Sequence, residues 1–204
     1  KDDYGNGLAS ESISQFEVKY LNLKVAGYNF SGQLGLGDNT NRNTPTTLTG
    51  VYGVKQVGTG MYHTILVMDD GTVKIFGDNT NYRLGLGEDN VNKNTPVNLT
   101  GISKVKQGAG GDQHNVVLMD DETVKVFGYN GWWQLGLGDN ATRKTPTDLP
   151  GISGVKHVIA GYNHTLILMN NGNVKGFGRN WDGELGLGNN DIKKEAPTDI
   201  SLLS

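Results

Sequence analysis

The sequence predicts an all-β fold made of β-propeller blades, each a sheet of four antiparallel strands. Three observations predict it. A set of markers returns about every fifty residues, and each repeat contains four short segments rich in β-forming residues. In addition, 31 of the 204 residues are glycine. Glycine weakens helices and suits tight turns, so a protein of many short strands and turns is expected.

A Leu-Gly-Leu-Gly motif sets the repeat. Each copy follows a Gly-x-Asn triplet and precedes a proline, and a histidine recurs at the same interval. The motif copies begin at Leu34, Leu84, Leu135 and Leu185, the prolines are Pro45, Pro96, Pro146 and Pro197, and the histidines are His63, His114 and His164. Independent markers that keep one period indicate repeated supersecondary units.

Strands can be placed within each repeat. Residues 63–68 and 72–76 are β-branched and aromatic, and the Asp-Asp-Gly sequence between them predicts a hairpin turn. In the next repeat Glu122 replaces the turn glycine, so that turn is expected to be looser or of another type. A third strand is predicted at 54–57 and at the equivalent segments 105–108 and 155–158. The fourth is expected near 46–48 and its equivalents.

These units divide the chain into a short leading segment and a repeat region. Residues 1–12 are polar and are interpreted as a tail or linker, and residues 13–204 hold the repeats. The predicted repeat units are a partial unit at 13–50 and three full units at about 51–101, 102–151 and 152–204. In the partial unit, residues 16–20 match the strand pattern only loosely.

The combined pattern resembles the RCC1-like (regulator of chromosome condensation) repeat family over roughly residues 20–200. It comprises Gly-x-Asn, Leu-Gly-Leu-Gly, a proline, Gly-x-x-His and a hairpin ending in Val-Lys-x-Phe-Gly. The resemblance implies a seven-bladed propeller, of which this chain would hold about half. It is interpreted as a bacterial-type member or a fragment. Further blades or a second copy would complete the ring, or the blades would stack openly, and open edges favour self-association.

Composition excludes several classes of function. The net charge of −3 gives no basic patch for nucleic acid. The absence of cysteine excludes disulfides and thiolate chemistry. No apolar stretch is long enough to predict a membrane span, and no motif predicts a cofactor. The Lys- and Asn-rich composition favours a bacterial source, and an extracellular or cell-surface location is favoured over the cytoplasm.

The polar and glycine markers that repeat are interpreted as structural. The glycines would allow a tight turn packed against the next blade, and the histidines would each hydrogen-bond the backbone of a neighbouring turn. One histidine per blade cannot converge on one ion, so no metal site is predicted. The structural set is Gly35, Gly37, Gly85, Gly87, Gly136, Gly138, Gly186, Gly188, His63, His114 and His164. The acidic or amide residue after each motif predicts a local turn with an ion pair.

Positions where the repeats differ are the candidates for binding. They lie between Gly-x-Asn and Leu-Gly-Leu-Gly and just before each histidine, and they include all three tryptophans. Aromatic side chains in variable loops are typical of binding hot spots, although they can also pack between blades. The candidate partner-binding residues are Phe30, Met61, Tyr62, Tyr82, Arg83, Trp132, Trp133, Tyr162 and Trp181.

No catalytic triad, pair of catalytic carboxylates or nucleophile elbow is evident, so no catalytic residue is predicted and the chain is not expected to be an enzyme. The favoured function is a non-catalytic binding module that recognises a protein or a surface glycan through its variable loops. One alternative is a structural role in a fibre, a phage tail or a secreted apparatus. Another, implied by the resemblance, is nucleotide exchange on a small GTPase.

Overall fold

The computed structural model describes residues 23–189 and 191–200. The predicted tail at 1–12, the start of the partial unit at 13–22 and the last four residues lie outside the described residues. The described chain forms four antiparallel sheets, one of two strands and three of four. This confirms the predicted all-β propeller blades.

Each sheet is numbered as a blade in chain order. The first blade contains β1 (Lys24–Gly27) and β2 (Arg42–Thr47). The second contains β3 (Val54–Thr59), β4 (His63–Met68), β5 (Val73–Gly77) and β6 (Lys93–Asn98). The third contains β7 (Val105–Gly110), β8 (His114–Met119), β9 (Val124–Gly128) and β10 (Arg143–Asp148). The fourth contains β11 (Val155–Ala160), β12 (His164–Met169), β13 (Val174–Arg179) and β14 (Lys193–Ile200).

The strands of a blade pair in chain order, as in a meander, so the first and last strands are its edges. Strand β7 contacts both β3 and β11, which places these first strands on the inner side, where the blades meet. The outer edge strand of each blade contains the repeated proline. In the first blade this strand begins earlier than the predicted 46–48, because Arg42 already pairs with Gly27. Proline suits an edge strand since it has no N–H to donate to a ladder.

Within the described chain, the only helical element is a single 3-10 turn, Thr80–Tyr82. No helix in that part of the protein is long and apolar enough to cross a membrane.

The hairpin turn at Glu122 has the same hydrogen bond as the glycine-containing turn of the preceding blade. The N–H of Glu122 donates to the carbonyl of Met119 at 3.0 Å, as the N–H of Gly71 donates to the carbonyl of Met68 at 2.9 Å. Glu122 adopts φ 66°, close to the 77° of Gly71. The expectation of a looser turn or another turn type was therefore wrong. The next blade supports this conformation, because the Glu122 carbonyl accepts the N–H of Val155 at 3.1 Å.

Burial along the second strand of each blade shows how the core is made. All six residues of β4 and all six of β8 are buried, whereas burial in the similar β12 sequence largely alternates. A strand covered on both faces is buried continuously, and a strand covered on one face is buried at every second residue. The core therefore lies between blades, and the fourth blade has a described neighbour on one face only.

The Leu-Gly-Leu-Gly turn joins each blade to the next. A Cβ atom at Gly85 would lie 2.5 Å from Cδ2 of Phe127, and one at Gly136 would lie 2.6 Å from Cδ2 of Phe177. These phenylalanines are fully buried, so each ring packs directly on glycine backbone of the preceding blade. The second glycine of the motif donates its N–H to the outer strand of the following blade, as Gly87 does to the Lys144 carbonyl at 2.9 Å.

Replacing Gly85 or Gly136 by alanine should destabilise the protein more than the same change at Gly186. All three residues have φ between 63° and 68°, but a Cβ at Gly186 would have no neighbouring atom within 4 Å among the described residues. Positive φ costs alanine about 1–2 kcal/mol at each site, and the clash with phenylalanine adds about 1–3 kcal/mol. Urea denaturation measures the difference. Equal losses at Gly85 and Gly186 would contradict the proposed ring-on-glycine packing.

Candidate functional site

The repeated histidines belong to a polar network between blades. The Nε2 atom of His63 lies 2.9 Å from Oδ1 of Asn115 on the next blade, and Asn115 Nδ2 donates to the Arg83 carbonyl at 2.6 Å. His114 lies 3.0 Å from Thr165 Oγ1, which donates to the Gln134 carbonyl at 2.8 Å. The expected direct bond from histidine to a turn backbone was wrong. A side chain of the following blade lies between them.

The same hydrogen bonds define the protonation of these rings. Asn115 Oδ1 can only accept, so His63 donates from Nε2, and its Nδ1 has no partner among the described residues. Burial lowers the pKa of His63 to about 4 and that of His114 to about 3. Burial also lowers the pKa of His164. Both fully buried rings are therefore neutral near pH 7 and serve as fixed donors between blades.

A second link between blades was not anticipated from the sequence. Gln56 binds Gly108 on the next inner strand through both its amide atoms, donating to the carbonyl at 3.0 Å and accepting the N–H at 2.9 Å. Gln107 forms the same pair of bonds with Val158, at 2.8 and 3.1 Å. In the last repeat His157 takes the position of these glutamines. The Val-Lys-Gln repetition was the available signal for this clamp.

The turns after Leu-Gly-Leu-Gly contain the expected ion pairs, but in the second blade the acidic residue that forms the pair lies one position later in the chain. Asp38 and Asp139 each accept a backbone N–H and pair with an arginine four residues later. In the second blade Asp89, not Glu88, has this role. Glu88 instead pairs with Lys144 of the third blade at 2.6 Å. None of these groups is part of a cluster of three potential metal ligands among residues 23–189 and 191–200.

The first group of rings, named here the first aromatic cluster, consists of exposed Tyr28 and Phe30 and half-buried Tyr62. The ring centroids of Tyr28 and Phe30 are 6.3 Å apart, as are those of Tyr28 and Tyr62. Phe30 is 71% exposed and Tyr28 is 52% exposed. Met61, next to Tyr62, is also exposed. Large apolar side chains that are adjacent and accessible have the composition of a protein-binding hot spot.

The second group surrounds a cleft between the second, third and fourth blades. Its aromatic residues are Tyr129, Trp132 and Tyr162, and Trp181 packs beside Trp132 with a centroid distance of 6.2 Å. The cleft has a volume of about 420 Å³. Its polar lining comes from Asn81, Asp112, Gln113 and Asn163. The name second aromatic cluster is used below for Tyr129, Trp132 and Tyr162.

The two clusters share one face of the propeller. A shallow pocket of about 260 Å³ is lined by Met61, Asp112 and Tyr162, one residue from each of three successive blades. These residues precede the repeated histidines, at the start of the second strand of each blade. The face is therefore continuous from the first blade to the fourth.

Arg83, a candidate binding residue, proves unavailable to a partner. It is only 3% exposed, and its guanidinium donates to the carbonyls of Thr80 and Asp112, each at 3.1 Å. It also lies 3.4 Å from the Asp78 carboxylate. Its assignment to the binding set is corrected to a structural one, because every direction of its planar group is occupied from within the protein.

Two other candidates are held by lysines of the following blade. The Nζ atom of Lys193 lies 3.0 Å from the ring centroid of Trp133, and that of Lys144 lies 4.6 Å from the ring centroid of Tyr82. Both rings are half-buried. These contacts fit the packing interpretation better than direct binding. Tyr28 and Tyr129, which occupy the variable position inside Gly-x-Asn, belong to the two aromatic clusters but were not predicted from the sequence.

Comparison with known families identifies the repeat. The family model described as the regulator of chromosome condensation (RCC1) repeat matches residues 25–67, 70–118 and 123–168, which is more than half of the chain. A second model with the same description matches residues 54–83 and 155–184. The matched segments run through all four blades.

Curated relatives share this similarity over part of their length. The ultraviolet-B receptor UVR8 of Arabidopsis thaliana is 32% identical over 117 residues, covering 55% of this chain and 26% of the receptor. The regulator of chromosome condensation of Mus musculus is 34% identical over 111 residues, covering 52% of this chain and 25% of the relative. The chain thus spans about a quarter of the length of these proteins.

Solved structures agree with the fold. Human WBSCR16 superposes with a TM-score of 0.79 at 28% identity, covering 88% of this chain and 48% of the other. Yeast RCC1 (Prp20), in its complex with Kap60, gives a TM-score of 0.77 at 22% identity, covering 88% of this chain and 44% of the other. The second likeness supports the fold alone.

The free energy of unfolding should fall as the pH is lowered from 6.5 to 4.5. The folded-state pKa values of His63 and His114 lie below the ordinary value of 6.5. Below pH 6.5 the unfolded chain therefore binds protons that the folded chain does not. Each histidine contributes a slope of up to about 1.4 kcal/mol per pH unit. Urea denaturation at several pH values measures it.

The histidines reduce the free energy of unfolding at a higher pH than the carboxylates do, so the two effects can be measured separately. Hydrogen bonds to Arg42 and Arg143 hold the pKa values of Asp38 and Asp139 below 3.8, so their stabilisation is lost only at lower pH. His114→Asn should give a shallower slope, because it removes one of the two fully buried rings. A free energy that stays constant from pH 6.5 to 4.5 would contradict the neutral, buried assignment.

Proposed function

The chain belongs to the regulator of chromosome condensation (RCC1) repeat family, and from that premise we propose that it is a non-catalytic binding module that contacts a protein partner. The contact surface is the first aromatic cluster together with Met61. Function in such a fold depends on the residues grafted onto it, so the assignment is made from this surface and not from the fold.

The observation that carries the proposal is the exposure of adjacent rings. Phe30 is the most exposed large hydrophobic residue described, at 71%, and it stacks on Tyr28. Exposed rings that already contact each other are partly ordered before binding, so they lose less conformational freedom when a partner covers them. Tyrosine adds a hydroxyl that can hydrogen-bond at the rim of an interface.

Known propellers of this family support a protein as the partner. Yeast RCC1 is found in complex with Kap60, and Prp20p of Saccharomyces cerevisiae is described with binding properties to Gsp1p and histones. Kap60, Gsp1p and the histones are partners of the yeast proteins. For this chain they support the class of partner, a folded protein or peptide segment, and not its identity.

Regulation of a GTPase is the second candidate. The human X-linked retinitis pigmentosa GTPase regulator is 34% identical over 120 residues, covering 56% of this chain and 12% of the relative. A nucleotide-release assay with a purified small GTPase of the host distinguishes this candidate. Acceleration of release that survives loss of the first aromatic cluster would favour exchange at another surface.

A double variant, Phe30→Ser with Tyr62→Ser, should weaken partner binding at least tenfold, which corresponds to about 1.4 kcal/mol. Hot-spot aromatic residues commonly contribute about 2 kcal/mol or more each. The partner is obtained by affinity capture from an extract of the host, purified, and titrated against both proteins by calorimetry.

The matched control is Val91→Ser with Ile192→Ser. These residues are 67% and 59% exposed, and neither belongs to the first or the second aromatic cluster. Capture that is lost with the control, or kept in full by the Phe30 and Tyr62 variant, would contradict the proposed surface. Thermal melting of both variants shows whether each protein is folded.

A further inference from the structure

The cleft beside the second aromatic cluster has a chemistry different from that of the first cluster. Its walls are the rings of Tyr129, Trp132 and Tyr162, and its remaining side chains are amides and one carboxylate. It is large enough for a small ligand, since binding pockets usually measure about 300–1,000 Å³ and this cleft about 420 Å³.

A chain of hydrogen bonds fixes the polar groups at one side of the cleft. Asn81 Nδ2 donates to Gln113 Oε1 at 2.5 Å, and Gln113 Nε2 donates to Asp112 Oδ2 at 3.0 Å. The backbone of Asp112 is held in turn by Arg83, at 3.1 Å. The second carboxylate oxygen of Asp112 and the amide oxygen of Asn81 have no partner among the described residues. These groups are therefore oriented in advance and still available to a ligand.

Asn163 points to a ligand independently. It is only 8% exposed, it lines the cleft, and its side-chain amide forms no hydrogen bond with any described residue. Its backbone carbonyl is engaged by the N–H of Arg179 at 2.9 Å, so the residue is held in place. Among the described residues, the buried side-chain atoms without a partner belong to His63, His114 and Gln134. The Asn163 amide is unpaired because it opens to the cleft, where water reaches it. A ligand in the cleft would supply the missing donor and acceptor.

We propose that this cleft binds a neutral sugar. The C–H face of a pyranose ring packs on an aromatic ring, and its hydroxyl groups both donate and accept hydrogen bonds. The cleft offers both, with Trp132 braced by Trp181 and with Asn163, Asn81 and Asp112 as fixed polar groups.

The same groups disfavour charged ligands. An anionic sugar would bring its charge to the Asp112 carboxylate, and no lysine or arginine lines the cleft. A quaternary ammonium ion prefers a cage of rings, and here three amide side chains lie among them. The ligand is therefore an uncharged polyhydroxyl ring, either free or at the end of a glycan on a surface.

The experiment applies the folded chain to an array of neutral, sialylated and sulfated oligosaccharides, and then titrates the best neutral sugar by calorimetry. Binding of neutral sugars is expected. Trp132→Ala and Asn163→Asp should each weaken it at least tenfold. Asn163→Asp is close in shape, but it removes the amide donor and places a second negative charge near Asp112.

The matched control is Asn98→Asp, on the outer strand β6. Asn98 accepts a hydrogen bond from Lys74, and the equivalent residues in the next two blades are the aspartates Asp148 and Asp199. This variant should therefore fold and bind sugar normally. If no neutral sugar binds, if only charged glycans or choline bind, or if Trp132→Ala and Asn163→Asp bind normally, the proposal is wrong.

This inference stands apart from the proposed protein partner. Phe30→Ser with Tyr62→Ser should weaken protein binding at least tenfold and leave sugar binding intact. Asn163→Asp should do the reverse. Loss of both activities in both variants would show one shared site and would overturn the assignment of separate ligands to the two clusters.

Discussion

The contact between a glycine of one blade and a phenylalanine ring of the next is the constraint on which the rest of the structure depends. A four-stranded sheet has two faces and cannot bury either alone, so its core exists only between blades. At Gly85 and Gly136 the ring occupies the space that a side chain would fill. The histidine network and the glutamine clamp then satisfy the polar atoms that this close approach buries.

This constraint separates the residues that repeat from those that vary. The same glycine, phenylalanine and histidine must return in each blade because the same contact is made each time. The loop residues between Gly-x-Asn and Leu-Gly-Leu-Gly and just before each histidine take no part in that contact, and they differ in every blade. They place an apolar cluster at the first and second blades and a polar cleft with aromatic walls between the second, third and fourth. One regular frame thus presents two different chemistries on one face.

The fold could be predicted from the sequence because its signals are local and repeated, whereas the errors concern contacts between residues far apart in the chain. The Glu122 turn was misjudged because Val155 of the next blade supports its backbone. Gln56 was missed because its partner is backbone 52 residues away. Arg83 was taken for a surface residue because its acceptors include the Asp112 carbonyl, which comes near it only in the folded propeller. Of the binding candidates, exposed Phe30 and Trp181 could be chosen from variability alone.

At the residue before each repeated histidine, the fold constrains the backbone but not the side chain. Tyr62, Gln113 and Asn163 each precede the histidine of their blade, and the backbone carbonyl of each accepts the N–H of the middle residue of the next Gly-x-Asn triplet. Their side chains differ in the contacts that they make. Tyr62 joins the first aromatic cluster, Gln113 is bonded at both its amide atoms, and the Asn163 amide is bonded at neither among the described residues. Since the backbone at this position needs no particular side chain, the fold does not require an unpaired amide at Asn163. This amide opens to the cleft, where the hydroxyl groups of the proposed sugar would complete its hydrogen bonds.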